Sequence, residues 1–336
     1  MLEHKVLEIL KQNNESYVSG ESLSEILGVT RTSIWKYINS LKEAGYNIES
    51  VTRKGYRLID SEDLLNEFEV ANGLTNSLIG NKIVCIKEVD STNFYARKIA
   101  LEGAEDGTVV IADAQTAGRG RLGRSWASMA GKGIWMSVVL RPQISPEEVQ
   151  IITLGASVAV VKAIYEATGI KTGIKWPNDI VYQGKKLCGI LTEMNSEVEM
   201  VNFLILGIGI NVNHIASDFP DEIRDFATSL SLCSDEIDKK YVKLFRRSDI
   251  IKKLLYELEK IYNKIKKGAV KDIIDDWKKY SATLGKQVRV MYKNDTYTGT
   301  ALDIREDGRL VVQCDDGHTR DVYSGEVSVR GILGYQ

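Results

Sequence analysis

Thr108-Val-Val-Ile-Ala-Asp-Ala-Gln115-Thr-Ala-Gly118-Arg119-Gly120-Arg121-Leu122-Gly123-Arg124-Ser-Trp126 is the stretch around which the chain is organised. Val109 to Ala112 has the length and β-branched content of a buried strand. The strand empties into a loop of three glycines and three arginines that ends on Trp126. Glycine lets a backbone approach a ligand closely. Arginine brings fixed charge and planar donor forks suited to carboxylate and phosphate. Tryptophan offers a flat face for a base. The loop therefore suits a polyanionic ligand that carries a ring system, although a solvated surface loop fits this stretch equally well when it is taken alone.

Gly118-x-Gly120-x-x-Gly123 has the spacing of a dinucleotide fingerprint. That motif must open a helix and be followed by an acidic residue about 20 positions on. Here it runs into Ser125-Trp126 and then Ile134 to Leu140, another strand-like run, which argues against a Rossmann unit. Upstream, Ile83 to Ile86 reads as a strand, and Asp90-Ser91-Thr92-Asn93 as the cap of a helix reaching about Leu101. Such a helix start can also receive an anion.

Further towards the N-terminus the periodicity is helical. Leu2, Val6, Ile9 and Leu10 share one face of a helix over 2–12, and Leu23, Ile26 and Leu27 the inner face of a second. Thr30 caps a third helix carrying Ile34, Ile38 and Leu41, and Gly45 ends it. Two short strands then flank a basic turn at Arg53-Lys54. Three helices and a hairpin outline a winged helix-turn-helix, expected over residues 1–62 and followed by a linker over 63–82 with a short helix from Ser61 to Phe68. Arg31, Thr32, Ser33, Lys36 and Tyr37 lie on the early part of the third helix, which reaches base edges in such folds. Arg53, Lys54 and Arg57 lie on the wing, where phosphate contact is expected. Residues 30–58 hold six basic residues against Glu43 and Glu49, an excess of four. That basic wing favours DNA over the alternative, a helical protein-interaction module.

Downstream, 147–168 is an Ala/Val-rich helix, and Lys175-Trp176-Pro177-Asn178-Asp179 interrupts a strand-like run, placing Pro177 at an edge or loop lip. Gly184 to Glu193 reads as a hairpin into a buried strand, and Phe203 to Asn213 as another apolar strand ending in asparagines. Residues 239–280 form a helical pair with fourteen Lys/Arg; the stripe Leu244, Ile251, Leu254, Leu255, Leu258 and Ile261 makes most of those lysines a solvated face. From Lys286, four short strands separated by Asn294-Asp295, Asp307-Gly308 and Asp316-Gly317 turns predict a small β-barrel of the SH3-like kind over 283–336. The expected class is α+β: a winged helix-turn-helix, a central mixed-sheet domain over 83–282, and the barrel.

The 336 residues, 43% apolar and 27% charged, leave room for two or three domains, and the net charge of −2 gives no global pull toward nucleic acid or membrane. The four scattered cysteines, without paired spacing, suggest reduced thiols in the cytoplasm, and the three dispersed histidines offer no transition-metal site. No signal-peptide core begins the chain, and a membrane role is not expected.

The middle domain offers Arg/Lys charge around Lys186 and Gly189 without a Ser/His/Asp set or an activated cysteine. Such a site suits chemistry in which two anions must meet, such as joining a carboxylate to the α-phosphate of ATP. Gly118 to Trp126, Lys175 to Asp179, Lys186-Leu-Cys-Gly-Ile-Leu191 and Gly207-Ile-Gly-Ile-Asn211, in this order, resemble the biotin protein ligases. The winged helix places the chain with bifunctional members that also repress biotin genes; Leu122 stands where some members carry another arginine. The resemblance implies formation of biotinyl-5′-AMP from biotin and Mg²⁺-ATP, then transfer to a lysine of a biotin carboxyl carrier protein. It implies that Ser91, Thr92, Asn93, Gln115, Arg119, Gly120, Arg121 and Lys186 line the site, with Gly189 beside Lys186, and that Gly118 to Arg124 closes over the adenylate. Trp126 would meet the adenine and Asn211 the triphosphate–Mg²⁺ side; Lys186 and Arg121 would stabilise charge, and Asp179 would orient or deprotonate the acceptor lysine. It further implies operator DNA as a partner and a homodimer when biotinyl-AMP is bound. A ligase with a vestigial winged helix, a lipoate-type ligase and a non-catalytic sensor are the competing readings.

Overall fold

The computed structural model describes residues 2–59, 63–72, 74, 77–237, 243–292, 295–324 and 327–331. The chain divides into two compact units, 1–73 and 74–336.

In the first unit, α1 (Leu2–Gln12), α2 (Gly20–Leu27) and α3 (Arg31–Glu43) precede the antiparallel hairpin of β1 (Ile48–Val51) and β2 (Gly55–Leu58), and a short α4 (Glu67–Ala71) closes it. The Thr30 cap is the one the sequence predicts, and α3 ends at Glu43 with Ala44 as its C-cap, one residue before Gly45. The Ser19 and Thr30 side chains accept from the Ser22 and Ser33 amides, and Gly28 ends α2 at φ 65°, a conformation that favours glycine. Val6, Leu10, Leu23, Ile34, Ile38 and Leu41 fill the core between the helices. Each such side chain removed from water contributes about 1.5–3 kcal/mol. Ile26 departs from expectation: it is 61% exposed, because on so short a helix Leu23 alone reaches the core fully. The short helix also starts later than expected, since Asn66 caps it by accepting from the Glu69 amide; residues 61 and 62 of the expected helix lie outside the described residues.

The second unit is built on a seven-stranded sheet. Its strands are β3 (Ile83–Val89), β4 (Val109–Gln115), β5 (Gly133–Leu140), β6 (Gly173–Lys175), β7 (Asp179–Tyr182), β8 (Lys185–Ser196) and β9 (Val201–Asn211), in the order β3-β4-β5-β9-β8-β7-β6. Only the β3–β4 pair is parallel, so the sheet is mixed, as the run of apolar strands predicts. The parallel crossover is α5 (Thr92–Leu101), whose Ala96 and Ala100 pack on Val110, Val139, Phe203 and Ile205. The other helices of the unit are α6 (Val149–Thr168), two short ones, α7 (Asp221–Arg224) and α8 (Leu230–Ile237), then α9 (Arg247–Lys266) and α10 (Val270–Tyr280). The helix α6 is long and apolar enough to cross a membrane, yet thirteen of its residues are buried as core. It crosses α9 so closely that a Cβ on Gly155 would lie 2.5 Å from Ile261.

Leu244, expected in the apolar stripe of the lysine-rich pair, lies ahead of α9 and is 65% exposed; the remaining members of the stripe are buried. Arg247, one of that stretch's cations, is buried and bonds Asp113 Oδ1 at 2.7 Å and the Gly133 carbonyl at 3.2 Å.

The C-terminal sheet has five strands where four were expected: β10 (Gln287–Tyr292), β11 (Asp295–Ile304), β12 (Leu310–Cys314), β13 (Thr319–Val322) and β14 (Val327–Gly331), antiparallel in the order β13-β12-β11-β10-β14. Among the described residues no ladder joins β13 to β14 into a closed barrel. The Trp176 indole donates to the Gly308 carbonyl at 3.1 Å and its amide to Thr283 Oγ1 at 2.9 Å, tying the β6–β7 turn to this sheet.

Candidate active site

The cavity opens over the middle of the large sheet, on the face that carries α5, and has a volume of about 270 Å³. Its floor follows from two-residue periodicity. Gly207 and Gly209 lie on one face of β9, Gly189 pairs with Gly209, and Ser137 pairs with Gly207. These glycines leave a trough in which other side chains lie directly on backbone. A Cβ on Gly207 would fall 2.1 Å from Asn93 Oδ1, and one on Gly209 2.8 Å from the Trp126 indole.

One wall is a chain of polar groups at the start of α5. The Thr92 amide donates to Gln115 Oε1 at 2.8 Å, Gln115 Nε2 donates to Ser128 Oγ at 2.7 Å, and the Ser137 hydroxyl touches Thr92 Oγ1 at 2.8 Å and Asn93 Oδ1 at 2.6 Å. Asn93 Nδ2 donates to Glu193 Oε2 at 2.7 Å. Ser91 occupies the cap position of α5 but makes no side-chain capping bond, so these residues turn to the cavity instead of serving the helix end.

The opposite wall is charged. Lys186 Nζ lies 2.6 Å from Asp179 Oδ1 and 5.2 Å from the Trp126 ring centroid. Arg121 Nη1 donates to Asn178 Oδ1 at 3.0 Å, and Nη2 donates to the Ser324 carbonyl of the C-terminal sheet's last turn. Burial pushes the Arg121 guanidinium below its usual value, opposed by Asp179 and reinforced by Arg124. The sequence suggests three arginines without partners; for Arg121 the structure corrects this, since Asn178 and Ser324 are far away in sequence and invisible to local reading. The loop itself is tied by Gly120 N to Arg124 O at 2.7 Å and Trp126 N to Gly118 O at 2.8 Å. Arg119 stands 5.9 Å from the Phe94 ring centroid. Gly118 does not line the cavity; it lets the Trp126 carbonyl pass 2.4 Å from where its Cβ would be.

At the far end Trp126, Trp135, His214 and Phe219 form an aromatic end wall, Trp135 meeting Trp126 edge-on at 6.5 Å and His214 at 5.9 Å, with His214 stacked on Phe219 at 5.1 Å. Burial lowers His214 to about 4. Asn211 also lines this end, its amide donating to the Thr228 carbonyl at 3.0 Å. Asn213, by contrast, is structural: it clasps the backbone of Phe245 from both sides. Cys188 is buried and burial raises its thiol, which leaves it no nucleophile. None of the four cysteines forms a disulfide. Among the described residues no three His, Cys, Asp or Glu side chains cluster to hold a metal.

The chain matches the biotin/lipoate A/B protein ligase family over residues 85–211, a helix-turn-helix domain over 3–57 and the biotin protein ligase C-terminal domain over 283–330. It is 41% identical to the bifunctional ligase/repressor BirA of Bacillus subtilis (strain 168), over 98% of both chains. It is 27% identical to that of Escherichia coli (strain K12), over 94% of both. The chain belongs to the biotin protein ligases. A solved biotin protein ligase from Aquifex aeolicus, in complex with biotin and ATP, superposes with a TM-score of 0.63 at 32% identity, over 75% of this chain and 99% of that one.

In this ligase the predicted Ser91, Thr92, Asn93, Gln115, Arg119, Gly120, Arg121, Arg124, Trp126, Asp179, Lys186, Gly189 and Asn211 all border one cavity. Sequence reasoning missed Ser137, Glu193, Ser128, Asn178, His214 and Phe219. The one available signal was a serine inside the otherwise apolar run Ile134 to Leu140.

The ligase's first unit presents Arg31, Thr32 and Lys36 to solvent, with Ser33 half-buried beside its Thr30 cap. Arg31 pairs with Glu21 at 2.6 Å, both side chains exposed. Arg53 sits at φ 68° in the wing turn, with Lys54 following. Arg57 is not presented as expected: it bonds Glu49 at 2.8 Å and lies 4.9 Å from the Tyr17 centroid. Trp35, overlooked in the sequence, is 57% exposed on α3.

Proposed function

We propose that this cavity takes biotin and Mg²⁺-ATP and forms biotinyl-5′-AMP, which then passes its acyl group to a lysine of a biotin carboxyl carrier protein. The Lys186–Asp179 pair facing the polar wall carries the reading. In the first step a biotin carboxylate oxygen attacks the α-phosphorus of ATP and diphosphate leaves. Two anions meet, and Lys186 and Arg121 supply fixed charge where it accumulates. In the second step the acceptor amine attacks the acyl carbon and AMP leaves. Asp179, once phosphate oxygens compete for Lys186, takes the amine's proton. Gly118 to Arg124 covers the adenylate and excludes water. Trp126 offers its face to the adenine. Asn211 would face the triphosphate and the Mg²⁺ it carries, which would offset phosphate charge; the cavity aspartates Asp179 and Asp218 are each already paired with a lysine, at 2.6 and 3.0 Å. Incubation with labelled biotin, Mg²⁺-ATP and a carrier domain tests this: label on one carrier lysine supports it, and its absence refutes it.

The exposed α3 and the basic wing support operator binding by the first unit, with a homodimer formed when biotinyl-AMP is held, so that two wings meet one palindrome. Sedimentation equilibrium with and without biotinyl-AMP tests the dimer: unequal association constants support it, equal ones refute it. Sequence-independent DNA binding by the adenylate-loaded protein would favour a vestigial winged helix. Four cysteines that form no disulfide support a reducing, cytoplasmic setting.

A further inference from the structure

We propose that Trp35 reads a thymine in operator DNA by packing its indole on the C5-methyl group of the base. The proposal rests on the operator binding proposed above for the first unit.

The chain has five tryptophans. Trp135, Trp176 and Trp277 are buried, and Trp126 lines the cavity. Trp35 is the exception, exposed on α3. One exposed apolar residue on a helix is ordinary; the position of this one is what informs. Ile34, Ile38 and Leu41 turn one face of α3 into the core. Thr32, Trp35, Lys36 and Asn39 follow one another at helical spacing on the other face, the first three exposed and Asn39 half-buried. Trp35 therefore sits in the middle of the face that a helix-turn-helix turns to the major groove. Helical side chains lean toward the N-terminus, which carries the ring over the turn of Arg31 and Thr32. That turn is the one that reaches base edges.

The surroundings select the occupant. Arg31 and Lys36 flank the ring, and residues 30–58 carry an excess of four positive charges. Such a surface attracts phosphate and repels a second copy of itself. Within the major groove the base edges display donors, acceptors and one apolar group, the thymine methyl. An indole laid on polar edges would strip water from them and return a single N–H. Laid on a methyl group, it removes apolar surface from water on both sides. A thymine is thus the base edge that this ring fits, while Arg31, Thr32 and Lys36 are left to the polar edges and phosphates.

The experiment uses full-length protein loaded with biotinyl-AMP, and an operator duplex that this protein selects from random-sequence DNA. Each thymidine of one half-site is replaced in turn by deoxyuridine, which lacks only the methyl group. Dissociation constants are measured for wild type, Trp35→Ala and Trp35→Phe. Wild type should lose about fourfold at one position, the worth of one methyl group returned to water. Trp35→Ala should bind the unmodified operator at least about tenfold more weakly and show no methyl effect at that position. Trp35→Phe, which keeps an apolar ring without the N–H, should retain the effect. A methyl effect that persists in Trp35→Ala, or that wild type shows at no thymine, overturns the proposal. So does its loss in Trp35→Phe, which assigns the contact to the indole N–H. A change in the sedimentation of DNA-free Trp35→Ala would place the ring between protein copies and overturn it as well. Wild-type protein without sequence preference would instead overturn the operator binding beneath it.

Discussion

Lys186 Nζ and Asp179 Oδ1 stand 2.6 Å apart on adjacent strands, held there by the β7–β8 register. In the proposed reaction this ion pair would restrain both members: the lysine would be oriented before phosphate arrives, and the aspartate occupied until it does. The two steps should therefore separate by mutation. Asp179→Asn should leave adenylate formation within about threefold and slow transfer to the carrier lysine by about 100-fold, the range typical of a lost general base. Rapid quench of each half-reaction reads the two rates. Equal slowing of both would assign Asp179 to Lys186 alone.

Gly207→Ala places a methyl 2.1 Å from Asn93 Oδ1 in a strand bonded on both sides. The backbone is held by both neighbouring strands, so Asn93 must be displaced, and the variant should lose about 1–3 kcal/mol of stability. Biotin affinity should fall at least about tenfold as Asn93 leaves its partners. Calorimetry of unfolding and of biotin binding measures both.

His214 is held at about 4 by burial, against an ordinary value of 6.5. The neutral ring is the native form. Below pH 6.5 the unfolded chain takes up the proton first, so stability is fully present above 6.5 and is lost as pH falls toward 4. The loss from this group is on the order of 3 kcal/mol. Thermal melts from pH 7 to 4 should show a steeper decline in the wild type than in His214→Phe; parallel curves would contradict the assignment.

Arg53→Ala, in the wing turn, should weaken operator and random DNA alike and reduce the salt slope by about one. Arg31→Ala, on α3, should cost about 1–3 kcal/mol on operator DNA and little on random sequence. Titrations on both DNAs at several salt concentrations distinguish the two roles.

The elements around these residues were legible to different depths. The Thr30 cap and the Ile34, Ile38, Leu41 spacing fixed α3, because capping and helical period are local. The loop from Gly118 to Trp126 was legible as a ligand loop because glycine, arginine and tryptophan each carry their chemistry alone. Ser137 and Glu193 were not, since their meaning lies in contacts to Asn93, 44 and 100 residues away. Arg247 was hidden among surface lysines; only its reach to Asp113, 134 residues back, makes it internal. The Lys175 to Asp179 motif was seen, but Trp176's part in it is structural, set by Gly308 and Thr283 of the C-terminal sheet.

The central claim is that Lys186 provides the charge that lets a carboxylate meet the α-phosphate in this cavity. Single-turnover formation of biotinyl-5′-AMP, with the carrier protein left out, tests it most directly. The wild-type protein should convert labelled biotin and Mg²⁺-ATP to one bound adenylate per chain, and Lys186→Ala, folded normally, should do so about 100-fold or more slowly. An unchanged rate in the folded variant would contradict the account.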